Sequence, residues 1–258
     1  MNLTAWPFRT YIVDHNNRVI YLPIPRVAST CLSIWFTEYF ICDKHFADDP
    51  QISIHPFIRQ SRYCLWSEPY AEQILKYYFK FTFVRNPFSR LVSTYLNKFA
   101  NVNEDKHYHY FVKQVYQYKN EPPDIKKGIS FEEFIEFLYM RNSKETFDVH
   151  WRPQHLFLSD VQLDFIGKFE NFQADITLLQ KCLFVHYSDP QKINSTLYDQ
   201  NRPETDCLWK IPGGELKRLL TFPPYKYFYS NEIVSQVREI YSKDFSTFGY
   251  DLDQQFPV

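Results

Sequence analysis

Phe79 to Tyr95 reads FKFTFVRNPFSRLVSTY, and this stretch decides the fold. Its first half, Phe79 to Arg85, is dense in aromatic and β-branched residues and reads as a buried strand. Its second half repeats apolar residues at helical spacing, with Phe88, Leu91, Val92, Tyr95, Leu96 and Phe99 on one face. Ser89, Ser93 and Asn97 fall on another. Pro87 sits in the first turn, where a missing N–H costs nothing and φ is already helical. A strand that turns directly into a helix sets the strand's carboxyl end beside the helix's N-terminus. In a parallel α/β sheet that edge binds ligands, and its backbone N–H groups and positive helix end favour an anion.

A second unit of the same kind lies upstream. Arg18 to Ile24 (RVIYLPI) reads as a buried strand, Pro25 to Ser29 as a loop, and a helix is expected from Thr30. Leu32, Trp35, Phe36, Tyr39 and Phe40 supply its apolar face, and Ser29 is placed to be its N-cap. Further along, a short strand is expected over Ile52 to His55 and a helix over Glu68 to Tyr77. Asn101 to Lys127 reads as loop with some helix. Ser130 and Glu133 form a capping box before an apolar helix to Met140. A strand over Asp164 to Phe169, a helix over 174–183 and a last amphipathic helix around Ile233 to Tyr241 complete the pattern. Strands alternating with helices predict an α/β fold, with a mainly parallel central sheet flanked by helices. With no repeat and no low-complexity linker, residues 1–258 are expected to form a single domain.

Composition narrows the function classes. A net charge of −1 argues against binding nucleic acid through bulk basicity, so local basic clusters must carry any anion binding. Aromatic residues make up 19% of the chain, more as core than as sugar platforms. The five cysteines are scattered without a CxxC pair, which signals neither zinc nor redox chemistry and suits reduced thiols. No signal peptide or membrane-spanning stretch is recognisable, so a soluble, cytoplasmic chain is expected. Neither GxxxxGK[ST] nor GxGxxG occurs, which takes most of the support from the ordinary nucleoside triphosphate and dinucleotide readings.

Within the two units the chemistry-bearing residues are Arg26, Ser29 and Thr30 in the first, and Arg85 and Ser93 in the second. A guanidinium fork suits bidentate phosphate recognition, and hydroxyls at a helix start sit beside N–H donors. Each group also has an ordinary reading: a capped helix with a surface arginine, and arginines that merely decorate a helix.

Together these blocks resemble PAPS-dependent sulfotransferases (PAPS is 3′-phosphoadenosine-5′-phosphosulfate). IPRVAST resembles their 5′-phosphosulfate loop, and FVRNPFSRLVSTY their 3′-phosphate motif, in which arginine and serine stand apart by the same spacing. The string from His150 to Gln154 (HWRPQ), the strand DFIGKFE from Asp164 to Glu170 and the ending IVSQVREIYSKDFSTFGYD are similar to the Golgi chondroitin, dermatan and heparan sulfotransferases. The resemblance implies that Arg26, Val27, Ala28, Ser29 and Thr30 hold the 5′-phosphosulfate, and that Arg85 and Ser93 hold the 3′-phosphate. It implies PAPS as donor, PAP as product, a carbohydrate acceptor and no metal. Two departures stand out: that family usually has lysine where Arg26 stands, and Golgi relatives carry a cysteine pair where this chain has Leu158 to Val161 (LSDV). The second fits a cytosolic member, such as a bacterial one.

Transfer to a hydroxyl also benefits from a base. By the resemblance His55 occupies the position of the family's base, and His150 is the rival, with Trp151 available to stack a sugar ring and Arg152 to hold an acidic one. Alternatively, Trp151 belongs to a packed aromatic corner. His107 and His109 form an HxH in a polar stretch, read as solvated rather than metal-bound. A non-catalytic protein that binds PAP or a glycan is the alternative reading of the whole chain. An unusual kinase is a third, opposed by the missing glycine-rich and magnesium-ligand motifs.

Overall fold

The computed structural model describes residues 7–41, 63–65, 69–100, 106–141, 148–158, 161–190, 207–216, 218–219 and 221–251. The expected strand at Ile52 to His55 lies outside them. The chain is organised as two units, each assembled from two segments: residues 1–85 with 154–194, and residues 86–153 with 195–258.

The first unit carries the sheet. Its strands are β1 (Ile12–Asp14), β2 (Val19–Tyr21), β3 (Phe79–Val84) and β4 (Phe165–Lys168), ordered β1-β2-β3-β4. β2, β3 and β4 run parallel, and β1 pairs antiparallel with β2. β3 is central and all but its first residue is buried, as a strand covered on both faces must be. Helices α1 (Ser29–Tyr39) and α2 (Ala71–Tyr77) belong to the same unit. The expected α/β architecture with a mainly parallel sheet is therefore present.

Register is set by specific pairs. The Asp164 carboxylate accepts from the backbone N–H of Lys80 at 2.8 Å and from its ammonium at 3.0 Å, which pins the start of β4 on β3. Gly167 sits opposite Phe83, whose ring lies where any Cβ would be, 2.3 Å away. Only glycine leaves the ring that space. β1 was not anticipated. It is joined to β2 by a turn in which the Asp14 carboxylate accepts from the Asn16 N–H at 2.9 Å and the Asn17 amide at 2.6 Å. The DHNN run between two apolar stretches carries the chemistry of such a turn.

The second unit is helical. It contains α3 (Pro87–Tyr95) continued by a π-helical turn (Leu96–Ala100), then α4 (Lys106–Tyr118) and α5 (Phe131–Met140). Asn86 caps α3 by accepting from the Phe88 N–H at 2.9 Å. The capping box of α5 is complete: the Glu133 N–H donates to the Ser130 hydroxyl at 3.1 Å, and the Ser130 N–H to the Glu133 carboxylate at 2.7 Å. Aromatic rings fill the core, including Tyr95, Phe99, Phe131, Phe134, Trp151, Phe228, Tyr229, Tyr241 and Phe245. Buried tyrosines bring a hydroxyl that must be satisfied, and here it fastens loops. Tyr95 donates to the Ile129 carbonyl at 2.9 Å, Tyr116 to Gly128 at 3.1 Å and Tyr229 to Phe88 at 2.8 Å.

The remaining helices are α6 (Phe172–Cys182) in the first unit, and α7 (Gly213–Leu216), α8 (Asn231–Ile240) and α9 (Ser242–Phe248) in the second. No helix among the described residues is long and apolar enough to cross a membrane.

Candidate functional site

In the first unit the loop after β2 is anchored at its start. Leu22 extends the ladder through its N–H to the Phe81 carbonyl at 3.0 Å, and its own carbonyl accepts from the Thr82 hydroxyl at 2.6 Å. The chain then passes through Arg26 at φ 68° and Ala28 at φ 50°, both left-handed without being glycine. Two such residues so close together cost about 1–2 kcal/mol each, and strain of this kind collects where backbone N–H groups must be aimed. A loop of this kind, leading straight into a helix N-terminus, suits an anion.

Helix α1 begins at Ser29, one residue earlier than expected, and its cap position is Ala28, with no side-chain cap bond. Ser29 is therefore not the N-cap: a capping side chain needs the extended backbone of the residue before the helix, and Ser29 is already helical. Val27 is buried, Ser29 nearly so and Thr30 half-buried. Burial pushes the Cys31 thiol up to about 11, against the lowering effect of backbone hydrogen bonds, so it is a neutral filler under this turn.

Arg85 reaches the same loop. Its Nη1 donates to the Arg26 carbonyl at 3.3 Å, and its guanidinium lies over the Phe169 ring, 4.3 Å from the centroid. Its peptide is held by Gln154, which is fully buried: the Arg85 N–H donates to Oε1 at 2.9 Å, and Nε2 donates to the Arg85 carbonyl at 2.8 Å. The structure thus brings together Arg26 and Arg85, which are 59 residues apart in the chain. Gln154 and Phe169 were not singled out as site residues. Both lie in the quoted strings HWRPQ and DFIGKFE, but nothing local marks a glutamine that pairs with a distant peptide.

In the second unit Ser89, Arg90, Ser93 and Thr94 of α3 are all buried, so its polar face is not a solvent face. The segment carrying His150, Trp151 and Arg152 packs here. Trp151 is 3% exposed and enclosed by Phe99, Phe111 and Phe134, with centroids 6.1, 4.7 and 5.5 Å away. Its ring is core and presents no face on which a sugar could stack; the packed aromatic corner is what the chain builds. His150 and Arg152 are half-buried. The His150 Nδ1 lies 2.5 Å from the Asp148 carboxylate, a partner the sequence reading did not name. Burial pushes the Asp148 carboxyl up, but the hydrogen bonds from the His150 ring and N–H outweigh it and hold it below the usual carboxylate range. Burial lowers the Arg152 guanidinium against the Asp148 charge, which raises it. His55, and the side chain of His107, lie outside the described residues. Among the described residues no cluster of three metal-binding side chains occurs.

A strained loop leading into a helix start, an arginine just past the strand end beside it and an α/β sheet are features suited to a phosphate or sulfate ester, and they occur here without a Walker loop. Residues 9–251 match the Sulfotransferase family, and the chain belongs to that family. It is 30% identical to carbohydrate sulfotransferase 11 of Rattus norvegicus over 187 residues, which cover 67% of this chain and 52% of the relative. It is 26% identical to carbohydrate sulfotransferase 12 of Mus musculus over 273 residues, covering 93% and 59%. Carbohydrate sulfotransferase 14 of Homo sapiens matches at 34% over 104 residues, 39% of this chain and 27% of the relative. The chain spans about half the length of the first two. No solved structure shows a significant match.

Proposed function

We propose that this chain transfers a sulfuryl group from PAPS to a hydroxyl of a carbohydrate, giving PAP and a sulfate ester. The observation that carries the reading is the bond from the Arg85 guanidinium to the Arg26 carbonyl. It brings the Arg85 guanidinium onto the backbone of the loop that carries Arg26, which supports reading the two motifs as parts of one donor site. Arg26, Val27, Ala28 and the helix start at Ser29 and Thr30 receive the 5′-phosphosulfate. Arg85 and Ser93, with seven residues between them across the strand–helix turn, receive the 3′-phosphate. The acceptor class follows from what the matched relatives are called, carbohydrate sulfotransferases. Arg152 then serves an acidic sugar.

Sulfuryl transfer resembles phosphoryl transfer in needing in-line placement and neutralisation of oxygen charge more than covalent help from the protein. Arg26 supplies a permanent cation to the leaving phosphate, and the helix start supplies N–H groups aimed at it. The test is to incubate the protein with sulfur-labelled PAPS and a panel of glycans and small alcohols. Label in a glycan together with released PAP is expected. PAP binding with no label in any acceptor would instead favour the non-catalytic alternative.

A further inference from the structure

The β3–β4 ladder ends on the pair Val84 and Lys168, and the next residues along the two chains are Arg85 and Phe169. They stand just past the carboxyl ends of neighbouring parallel strands, the edge at which such sheets bind ligands. The Arg85 guanidinium lies over the Phe169 ring, 4.3 Å from its centroid. A guanidinium lying over a ring spends no N–H donor on that contact, because its donors point outward in its own plane. Phe169 is half-buried and is itself held. Just before it, the Lys168 N–H donates to the Asp175 carboxylate at 2.6 Å. Its ring leans on Phe172 of α6, with centroids 6.3 Å apart, and Phe172 packs at 5.4 Å on Phe83, buried in β3. Three rings thus tie the central strand to the guanidinium that follows it. Gln154 fixes the Arg85 peptide but not the long side chain beyond it.

We propose that Phe169 is a positioning residue for donor binding: its ring holds the Arg85 guanidinium in the plane that presents its fork to the 3′-phosphate. This rests on the reading of the chain as a PAPS-dependent sulfotransferase. Arginine recognises phosphate through two parallel N–H groups, and that advantage over a point charge is lost when the plane is free to turn. The ring has a second effect. Arg85 is only 8% exposed, and the electron-rich face of Phe169 offsets part of the cost of keeping a cation away from water. Phe169 therefore acts on the phosphate through Arg85, and its contribution belongs to ligands that carry a 3′-phosphate.

Calorimetry on the full chain compares PAP with adenosine 5′-phosphate, which keeps the base and the 5′-phosphate and lacks the 3′-phosphate. Phe169→Leu should weaken PAP about 10-fold and adenosine 5′-phosphate less than about 2-fold. Phe169→Tyr, which keeps a π face, should bind PAP as the wild type does. In an Arg85→Ala background, Phe169→Leu should weaken PAP no further, because the pair is already broken. NMR of the arginine guanidinium groups, with Arg85 assigned through Arg85→Lys, should show its N–H signals displaced by the ring in the wild type without ligand. Equal losses for the two nucleotides in Phe169→Leu would mean that the ring serves the adenine or the fold, and would overturn the proposal. So would an unchanged PAP affinity in that variant, or a tyrosine variant as weak as the leucine one. The wild-type signals need neither a ligand nor a folded Phe169 variant, and an undisplaced Arg85 also overturns it. A wild type that binds neither nucleotide sinks the donor reading and the proposal together, whereas PAP binding and sulfate transfer beside equal losses sink the proposal alone.

Discussion

Gln154 closes a ring of two hydrogen bonds on the peptide of Arg85, accepting from its N–H at 2.9 Å and donating to its carbonyl at 2.8 Å. β3 ends at Val84, so Arg85 stands just past the strand, and the buried amide takes the place of a neighbouring strand. Gln154→Leu keeps the volume and leaves two buried backbone groups unsatisfied, at roughly 1–3 kcal/mol each. We expect a loss of about 2–4 kcal/mol in urea denaturation, together with weaker PAP binding because Arg85 loses its anchor. An unchanged denaturation midpoint would show that the ring contributes nothing.

Arg85 itself is expected to discriminate between ligands. Arg85→Ala should weaken PAP by about 1.5–3 kcal/mol, the scale of a charged hydrogen bond, and adenosine 5′-phosphosulfate, which lacks the 3′-phosphate, far less. Ser93→Ala should show the same preference at about 0.5–1.5 kcal/mol. Arg85→Lys keeps the charge but not the fork and should fall between wild type and Arg85→Ala. Calorimetry that finds equal losses for both ligands counts against a 3′-phosphate role, because Arg85 would then act only through the loop it touches.

What the sequence made legible is what local chemistry writes. Pro87 starts α3, Ser130 and Glu133 cap α5, and the β-forming run of Phe79 to Val84 makes a strand; each depends on residues within a turn or two. The cap of α1 was misplaced because one backbone angle, that of Ala28, moves the helix start by a residue. Trp151 reads equally well as platform or core until Phe99, Phe111 and Phe134 close around it. Gln154 was illegible because its partner lies 69 residues away and pairs through backbone, leaving no pattern in either segment. The fold places Asp148 two residues before His150, a spacing too common to signal anything alone.

The capping box of α5 predicts an acid-sensitive contribution to stability. Burial pushes the Glu133 carboxyl up, but the hydrogen bonds from Lys119 at 2.7 Å and from the Ser130 N–H outweigh it and hold it below the usual range. A lowered acid stabilises the fold above its unfolded pKa of about 4.3 and loses that contribution as pH falls through the folded value. The stability difference between wild type and Glu133→Gln should therefore shrink as pH falls from about 5 to 3. The Lys119 ammonium, which burial lowers and its hydrogen bonds raise by more, would lose its share only at strongly alkaline pH. Ser130→Ala should cost about 1 kcal/mol. Denaturation curves that differ by a constant amount across this window would mean that Glu133 titrates in the fold as it does in the unfolded chain.

Arg26 combines a backbone role and a charge, and three substitutions separate them. The residue sits at φ 68°, a conformation that glycine adopts freely and other residues hold at a cost. If the charge stabilises the leaving phosphate, Arg26→Ala should lower kcat by about 10²–10³-fold, because that charge grows in the transition state. PAP affinity should fall by less. Arg26→Lys restores the cation and should recover most of the turnover. Arg26→Gly removes the charge and relieves the backbone, so it should be as slow as Arg26→Ala yet more stable by about 1 kcal/mol. Steady-state kinetics with full kcat and only a raised KM in Arg26→Ala would reduce the residue to ground-state binding. A glycine variant that regained turnover would assign the effect to loop shape, and the cation would have no part in the chemistry.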